Sequence, residues 1–175
     1  MSQERRDLLD WLLLRAPAVG TAISAGTVRL KLGSPLRRRL IHAQVKRGFS
    51  AMARSDVDVN VLVYEPDTEV WMHGMDGVGV GGCFRGREGV RALYGEIDVA
   101  FERWSWTIDR LVDGGDRLAV RGDFVGYGRG SGVKTEVTSG GTVMELSSRG
   151  RIARQKWFVE QNGWQRVLEA AGLSE

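Results

Sequence analysis

The sequence predicts an α+β domain in which a curved antiparallel sheet wraps around helices near the N-terminus. Helical periodicity fills most of the first 56 residues and returns at 87–104, whereas apolar and polar residues alternate from Trp106 onward. Two β-prone runs, 142–146 and 152–159, flank the turn 147–150 and predict a hairpin at the centre of that sheet. With 175 residues, 42% of them hydrophobic, the chain can bury one sizeable core.

The first 34 residues are predicted to be an amphipathic helical extension that precedes the main domain at 35–175. Residues 4–16 place Leu8, Trp11 and Leu12 on one helical stripe, and Pro17 ends that helix. Residues 18–32 are ambiguous because glycines and threonines weaken their helical spacing. The apolar run 8–14 is too short and too charged to span a bilayer or to act as a signal peptide.

Charge is unevenly distributed along the chain. Residues 1–47 hold 10 Lys/Arg and 3 Asp/Glu, a net +7 in a chain whose total is +3, which leaves −4 for the remainder. No aromatic residues alternate with the run at 37–39, so we expect a solvated basic face and no nucleic-acid partner. Packing of the extension on the domain is favoured, and the alternative is membrane-surface attachment through 8–14 and 37–39.

Local signals place the remaining helices. Ser34 and Pro35 can start a helix whose buried face repeats through 36–52. Asp56 can cap another, although 57–63 also alternate as a strand would. We expect a long helix at 87–104 and a closing helix at 162–171 that Gly172 ends.

The glycine-rich segment 77–82 formally matches the G-x-G-x-x-G dinucleotide fingerprint. That motif requires a parallel βαβ unit, whereas the strands that follow here are consecutive, so we expect a loop at a cavity mouth and no cofactor. Cys83 is the only cysteine, which fits a reducing cytoplasm and excludes an intrachain disulfide. His42 and His73 are not expected to meet, so no metal site is predicted.

Five segments resemble, in order, the SnoaL-like branch of the nuclear-transport-factor-two-like (cystatin-like cone) superfamily. They are VKRGFSAMARSD at 45–56, FRGREGVR at 84–91, VDGGDRL at 112–118, GRGSGV at 128–133 and LEAAGL at 168–173. The resemblance covers roughly residues 36–173 and implies a cone-shaped sheet and a helix after Asp56. It also implies a homodimer through the outer sheet face, where Val125, Tyr127, Ile152 and Phe158 are predicted to lie.

The same resemblance implies little about activity, because the fold hosts cyclases, isomerases, dehydratases and binding modules. Ketosteroid-isomerase relatives use a tyrosine and two acids. The matching positions here are Gly48 or Phe49, Met72 and Thr142, none of which can shuttle a proton in that mechanism. Strand alternation turns Glu145, the nearest carboxylate, away from the pocket.

Inward-facing positions predict an apolar pocket for a small organic molecule, and the resemblance implies that this molecule is of polyketide, steroid or terpenoid type. The pocket residues are Met72, Trp106, Phe124, Thr142, Met144, Gln155 and Trp157. Because these side chains do not readily ionise, a binding module is favoured over a catalyst. The alternative is an acid/base enzyme of cyclase, isomerase or hydratase type, with His73 and Asp76 at the cavity mouth as its proton-transfer pair.

Overall fold

The computed structural model describes residues 8–174, which form one six-stranded sheet and six α-helices. The helices are α1 (Leu8–Arg15), α2 (Pro17–Arg29), α3 (Pro35–Ala53), α4 (Val57–Asn60), α5 (Gly86–Ala100) and α6 (Trp164–Ala171). The strands are β1 (Tyr64–His73), β2 (Gly82–Arg85), β3 (Phe101–Asp113), β4 (Arg117–Gly128), β5 (Lys134–Leu146) and β6 (Ile152–Phe158).

The strand order in the sheet is β2-β1-β6-β5-β4-β3, so the β5–β6 hairpin lies at its centre as predicted. Four of the five strand pairs are antiparallel, and β1 runs parallel to β6. Thr142 lies opposite Trp157 and Met144 opposite Gln155. The main core fills the concave side of the sheet beneath α3 and α5, while α6 covers the convex side with a smaller cluster. This is the α+β cone that the alternation and the resemblance implied.

Helix caps follow the sequence signals. The Ser34 hydroxyl accepts a hydrogen bond from the Arg37 amide at 3.3 Å at the start of α3. The Asp56 carboxylate accepts one from the Val59 amide, so the segment after Asp56 is a helix and not a strand. Gly172 ends α6 with a left-handed φ of +66°. The helices at Ser34, at Asp56 and before Gly172 are therefore confirmed.

One predicted boundary is wrong. The helix predicted at 87–104 ends at Ala100, because Phe101 and Trp104 pair with β4 and turn their rings toward Phe124. Their spacing suits a helix, and in the strand both face inward only because a register shift lies between Phe101 and Arg103, which no local signal marks. The segment 18–32, whose spacing is ambiguous, is largely helical. Because Gly20 in this helix has no side chain, Leu13 of α1 packs in the space that a side chain would occupy.

The predicted outer apolar face is wrong at Ile152, and Phe158 lies on that face but is not exposed. Ile152 points into the concave core because the β5–β6 register shifts between Glu145 and Leu146, and such a bulge reverses facing. Phe158 is on the convex face but is buried under α6. The structure therefore shows no exposed patch built on these two residues.

Arg37 departs furthest from the expected solvated basic face. Its side chain is 2% exposed, and its guanidinium donates to both carboxylate oxygens of Asp113 at 2.7 and 2.9 Å. It also donates to the Val28 and Gly115 carbonyl oxygens. This fork joins the end of α2, the start of α3 and the β3–β4 turn, and the hydrogen bond to Asp113 raises the pKa of Arg37 above its ordinary value. Arg38 and Arg39 are exposed, as expected.

Helix α1 carries the predicted stripe, but the stripe faces outward. Leu8 and Leu12 are exposed, whereas Asp10 is buried in ion pairs with Arg54 at 2.8 Å and Arg47 at 3.3 Å. Within residues 8–174 no single helix is long and apolar enough to cross a membrane. By length and composition alone, α1 and α2 pass such a test together, with a 103° bend between them.

Candidate ligand-binding cavity

A cavity of about 430 Å³ lies between the N-terminal helices and the concave face of the sheet. We call its sheet-side lining the sheet wall: Tyr64, Leu118, Met144, Leu146, Ile152, Gln155 and Trp157. We call its lining from the first four helices the helical wall: Leu9, Leu13, Pro17, Gly20, Thr21, Ile23, Ser24, Leu40, Ile41, Ala43, Gln44, Val45, Arg47, Gly48, Phe49, Met52, Val59 and Asn60. Most of these side chains are apolar, so the cavity is suited to an apolar ligand.

A chain of buried hydrogen bonds supports the polar part of the sheet wall. The Tyr64 hydroxyl donates to Gln155 Oε1 at 2.6 Å, Gln155 Nε2 donates to Thr142 Oγ1 at 3.0 Å, and the Thr142 hydroxyl donates to the Lys156 carbonyl oxygen at 2.9 Å. All of these donations run in one direction, away from Tyr64. The Tyr64 oxygen therefore keeps a lone pair, and the Gln155 amide keeps one N–H.

Burial keeps the two tyrosines of this region neutral. Removal from water raises the pKa of Tyr64 far above its ordinary value. Burial also raises the pKa of Tyr94, and the neighbouring Tyr64 and Asp98 raise it further. Because a neutral phenol near pH 7 is a hydrogen-bonding group and not a base, these two side chains can orient a ligand without taking its proton.

Asn60 presents an unsatisfied acceptor on the helical wall. Its amide Nδ2 donates to the Gly48 carbonyl oxygen at 3.0 Å, whereas its Oδ1 is buried without a hydrogen-bond partner among the described residues. A buried acceptor left unpaired costs about 1–3 kcal/mol. A ligand hydroxyl or N–H group at this position would remove that cost.

A second cavity of about 30 Å³ adjoins the first and is lined in part by the aromatic side chains Trp104, Trp106 and Phe124. It shares Met52, Tyr64, Tyr94 and Trp157 with the larger cavity. Trp106 contacts Trp157 edge-on at 5.1 Å and Phe124 at 6.0 Å between ring centroids. Packed rings therefore fill this end of the cone and leave room for about one water molecule.

The predicted pocket residues divide between the two cavities. Met144, Gln155 and Trp157 line the large cavity, and Trp157 also lines the small one with Met72, Trp106 and Phe124. Thr142 lies behind Gln155 and holds it by a hydrogen bond. The structure thus brings all seven together on the concave side, but only three of them line the space that can hold a ligand.

His73 and Asp76 lie apart from both cavities. The His73 ring stacks on Phe158 at 5.2 Å and on Trp71 at 6.5 Å, on the face opposite the buried Met72. Asp76 is exposed in a short 3-10 turn after β1. Met75, from the same loop, does line the small cavity. This loop therefore contributes Met75 to the small cavity, whereas residues 77–82, His73 and Asp76 line neither cavity.

Ionisable groups suited to proton transfer are missing from the lining that the structure describes. Between residues 8 and 174 no Asp, Glu or His lines either cavity, and Arg47 and Arg151 are the charged residues that do. Glu145 pairs with Arg154 at 3.5 Å outside the cavity, as the alternation predicted. No cluster of three or more His, Cys, Asp or Glu in this range could hold a metal ion.

The helical wall is largely what sequence reasoning missed. Spacing along α3 could have identified Val45 and Phe49, which face the sheet, but nothing in 8–29 indicates that these residues line a cavity. Helix α2 is held in place by the β5–β6 turn. There Gly150 has a φ of +69°, and the Ser24 carbonyl lies where its side chain would be. The Arg151 guanidinium also donates to the Thr21 hydroxyl.

The cone-shaped sheet with its cavity is a fold that hosts both small-molecule-binding proteins and enzymes. Several solved structures have the same fold as this chain. An NTF2-like protein from Burkholderia pseudomallei K96243 matches with a TM-score of 0.62 and 18% identity, over 74% of this chain and 95% of its own. A putative SnoaL-like polyketide cyclase from Jannaschia sp. CCS1 matches at 0.54 and 18%, over 75% and 90%. A Mycobacterium tuberculosis protein in complex with estradiol-17β-hemisuccinate matches at 0.54 and 17%, over 65% and 88%. At these identities the likeness shows the fold alone.

Residues 45–155, more than half of the chain, match the family described as SnoaL-like domain. The chain belongs to that family. No curated protein matches it.

Proposed function

We propose that this protein binds a small, largely apolar organic molecule of polyketide, steroid or terpenoid type in the 430 Å³ cavity, without acid/base chemistry. The observation that carries the proposal is the lining itself, which is mostly apolar and among the described residues holds no carboxylate or imidazole. The volume falls within the range of about 300–1,000 Å³ typical of ligand pockets. Proteins of the same fold have been crystallised with estradiol-17β-hemisuccinate and with polyporic acid, which supports a ligand that contains rings.

Polar groups on opposite walls would orient such a molecule. Phe49 and Trp157, whose ring centroids lie 5.8 Å apart, offer flat apolar surface. The free lone pair of Tyr64 and the unpaired Oδ1 of Asn60 both accept hydrogen bonds. We therefore expect the preferred ligand to combine a flat apolar ring system with at least one hydroxyl or N–H group.

Gly48 allows a direct test. It lines the cavity in α3, and a Cβ at this position would meet no atom within 4 Å. Gly48→Leu should fill space in the cavity while strengthening the helix, since glycine disfavours helices by about 1 kcal/mol. Gly95→Leu, at an exposed position in α5 with equally free space, is the matched control.

The assay is calorimetric titration with estradiol and other flat polycyclic hydroxyl compounds. Binding that Gly48→Leu weakens at least about tenfold, and that Gly95→Leu leaves unchanged, supports the proposal. Binding that tolerates Gly48→Leu places the ligand elsewhere and contradicts it. Turnover of a bound compound that disappears in His73→Ala would replace simple binding with acid/base catalysis.

A further inference from the structure

Helix α1 buries an acidic residue and exposes part of its leucine-rich surface. Asp10 is 1% exposed and ion-paired with Arg54 at 2.8 Å, whereas Leu8 is 88% and Leu12 49% exposed. A helix that packs on a water-soluble core buries its leucines and exposes its acids. In α1, Leu9 and Leu13 line the cavity, but Leu8 and Leu12 are exposed, and the buried ion pair between Asp10 and Arg54 holds the helix in this orientation.

Exposed apolar residues are concentrated in the N-terminal part of the described chain, and we call this group the apolar patch. Of the eleven large hydrophobic residues exposed among the described positions, eight fall within residues 8–36. Besides the leucines of α1, the group includes Val19 and Ile23 in α2, Leu32 in the α2–α3 loop and Leu36 in α3. Such concentrated exposure marks an interaction surface, because isolated exposed hydrophobic residues would be scattered over the molecule.

The charges that accompany this patch have one sign. Exposed arginines and lysines recur through the same segment: Arg15, Arg29, Lys31, Arg38, Arg39 and Lys46. Between residues 8 and 49 the sequence has a single acid, Asp10, and it is buried. The surface is therefore apolar and cationic together, and its natural complement is apolar and anionic.

We propose that α1 and α2 dock on an anionic lipid bilayer. Leu8 and Leu12 would enter the boundary between headgroups and acyl chains, while Arg38 and Arg39 would contact the acidic headgroups. A second copy of the chain fits less well, since self-association through this patch would bring two cationic clusters together. The same two helices form much of the helical wall, so docking would place the cavity beside a reservoir of apolar molecules.

Vesicle flotation tests the attachment. The full chain should float with vesicles of phosphatidylcholine plus phosphatidylglycerol and not with phosphatidylcholine alone. At about 1 kcal/mol per cation at the surface, Arg38→Glu with Arg39→Glu should lower binding roughly thirtyfold or more. Leu8→Gln with Leu12→Gln should lower it at least about tenfold. Val99→Gln with Val133→Gln, exposed residues outside the patch, should change nothing.

A fluorophore measures insertion without depending on loss of function. In a Cys83→Ala background, an environment-sensitive dye on Leu12→Cys should shift to the blue with anionic vesicles, and the same dye on Val99→Cys should not. Absence of flotation, equal binding to neutral vesicles, or an unshifted dye at position 12 would each overturn the proposal. Binding of a protein partner through the apolar patch, without binding to lipid vesicles, would also overturn it.

Discussion

The two walls of the cavity are built in different ways. The sheet wall belongs to the continuous core, where inward residues such as Met144 and Trp157 lie on adjacent, hydrogen-bonded strands. The part of the helical wall formed by α1 and α2 is fastened by polar contacts, namely the Asp10–Arg54 ion pair and the Arg37 fork. Apolar packing between strands thus forms the sheet wall, whereas ion pairs and hydrogen bonds of charged side chains position the apolar helices α1 and α2 in the helical wall.

Trp157→Ala should have the largest effect on stability. The ring is 6% exposed, lines both cavities and contacts Phe49 and Trp106. Its loss should lower the free energy of unfolding by about 3–5 kcal/mol, measured by urea denaturation. Leu13→Ala on the half-buried helical wall is the comparison, and an equal loss there would show that the two walls are alike.

Arg37→Ala should come next, at about 3 kcal/mol, because it leaves the partly buried Asp113 without its partner and frees several carbonyl oxygens. The neighbouring exposed Arg38→Ala should change stability by less than about 0.5 kcal/mol. Thermal melting monitored by circular dichroism distinguishes them. Equal effects would mean that Arg37 does not clamp the helices.

Tyr64→Phe should lower stability by about 1–2 kcal/mol, since Gln155 Oε1 loses its buried donor. The half-buried Tyr127, whose ring lies 4.1 Å from the Arg103 guanidinium, provides a control substitution to Phe with a change below about 0.5 kcal/mol. Urea denaturation measures both. A neutral Tyr64→Phe would show that the hydrogen-bonded chain does not support the sheet wall.

Alkaline pH should also lower the stability of the fold, through the buried Tyr64 and Tyr94. Burial raises the pKa of Tyr64 and Tyr94 in the folded protein above the ordinary value of about 10. Their protonated forms therefore stabilise the fold fully below that pH, and this contribution is lost as the pH rises above it. Absorbance at the tyrosinate band should show two phenols ionising only with unfolding. Ionisation of all three tyrosines in a folded chain would contradict this.

Leu12→Gln should have the smallest effect on stability, within about 0.5 kcal/mol, because half of the side chain is already exposed. Leu168→Gln, at a buried position in α6, should be severely destabilising by comparison. Thermal melting of both variants tests this. A large loss at Leu12 would mean that α1 packs through this stripe.

Local sequence rules predicted the sheet wall well because strand alternation carries facing information directly. Gln155 and Trp157 were placed inward by that rule, whereas Ile152 was misplaced by a single bulge that no local signal marks. Arg37 could not be told from Arg38 and Arg39, since its partner lies 76 residues away in the chain. For α1 the periodicity gave the correct stripe, but only the positions of Arg47 and Arg54 decide which side is buried.

The contact between Gly150 and Ser24 has a consequence for related sequences. A side chain at Gly150 would overlap the Ser24 carbonyl, and the left-handed φ of +69° already favours glycine. Members of the family with an equivalent of α2 should therefore keep glycine at this turn. Members without that helix are released from the overlap and can use asparagine or aspartate, which tolerate the left-handed region. A one-residue difference in a β-turn would then reveal whether a relative carries the N-terminal helices at all.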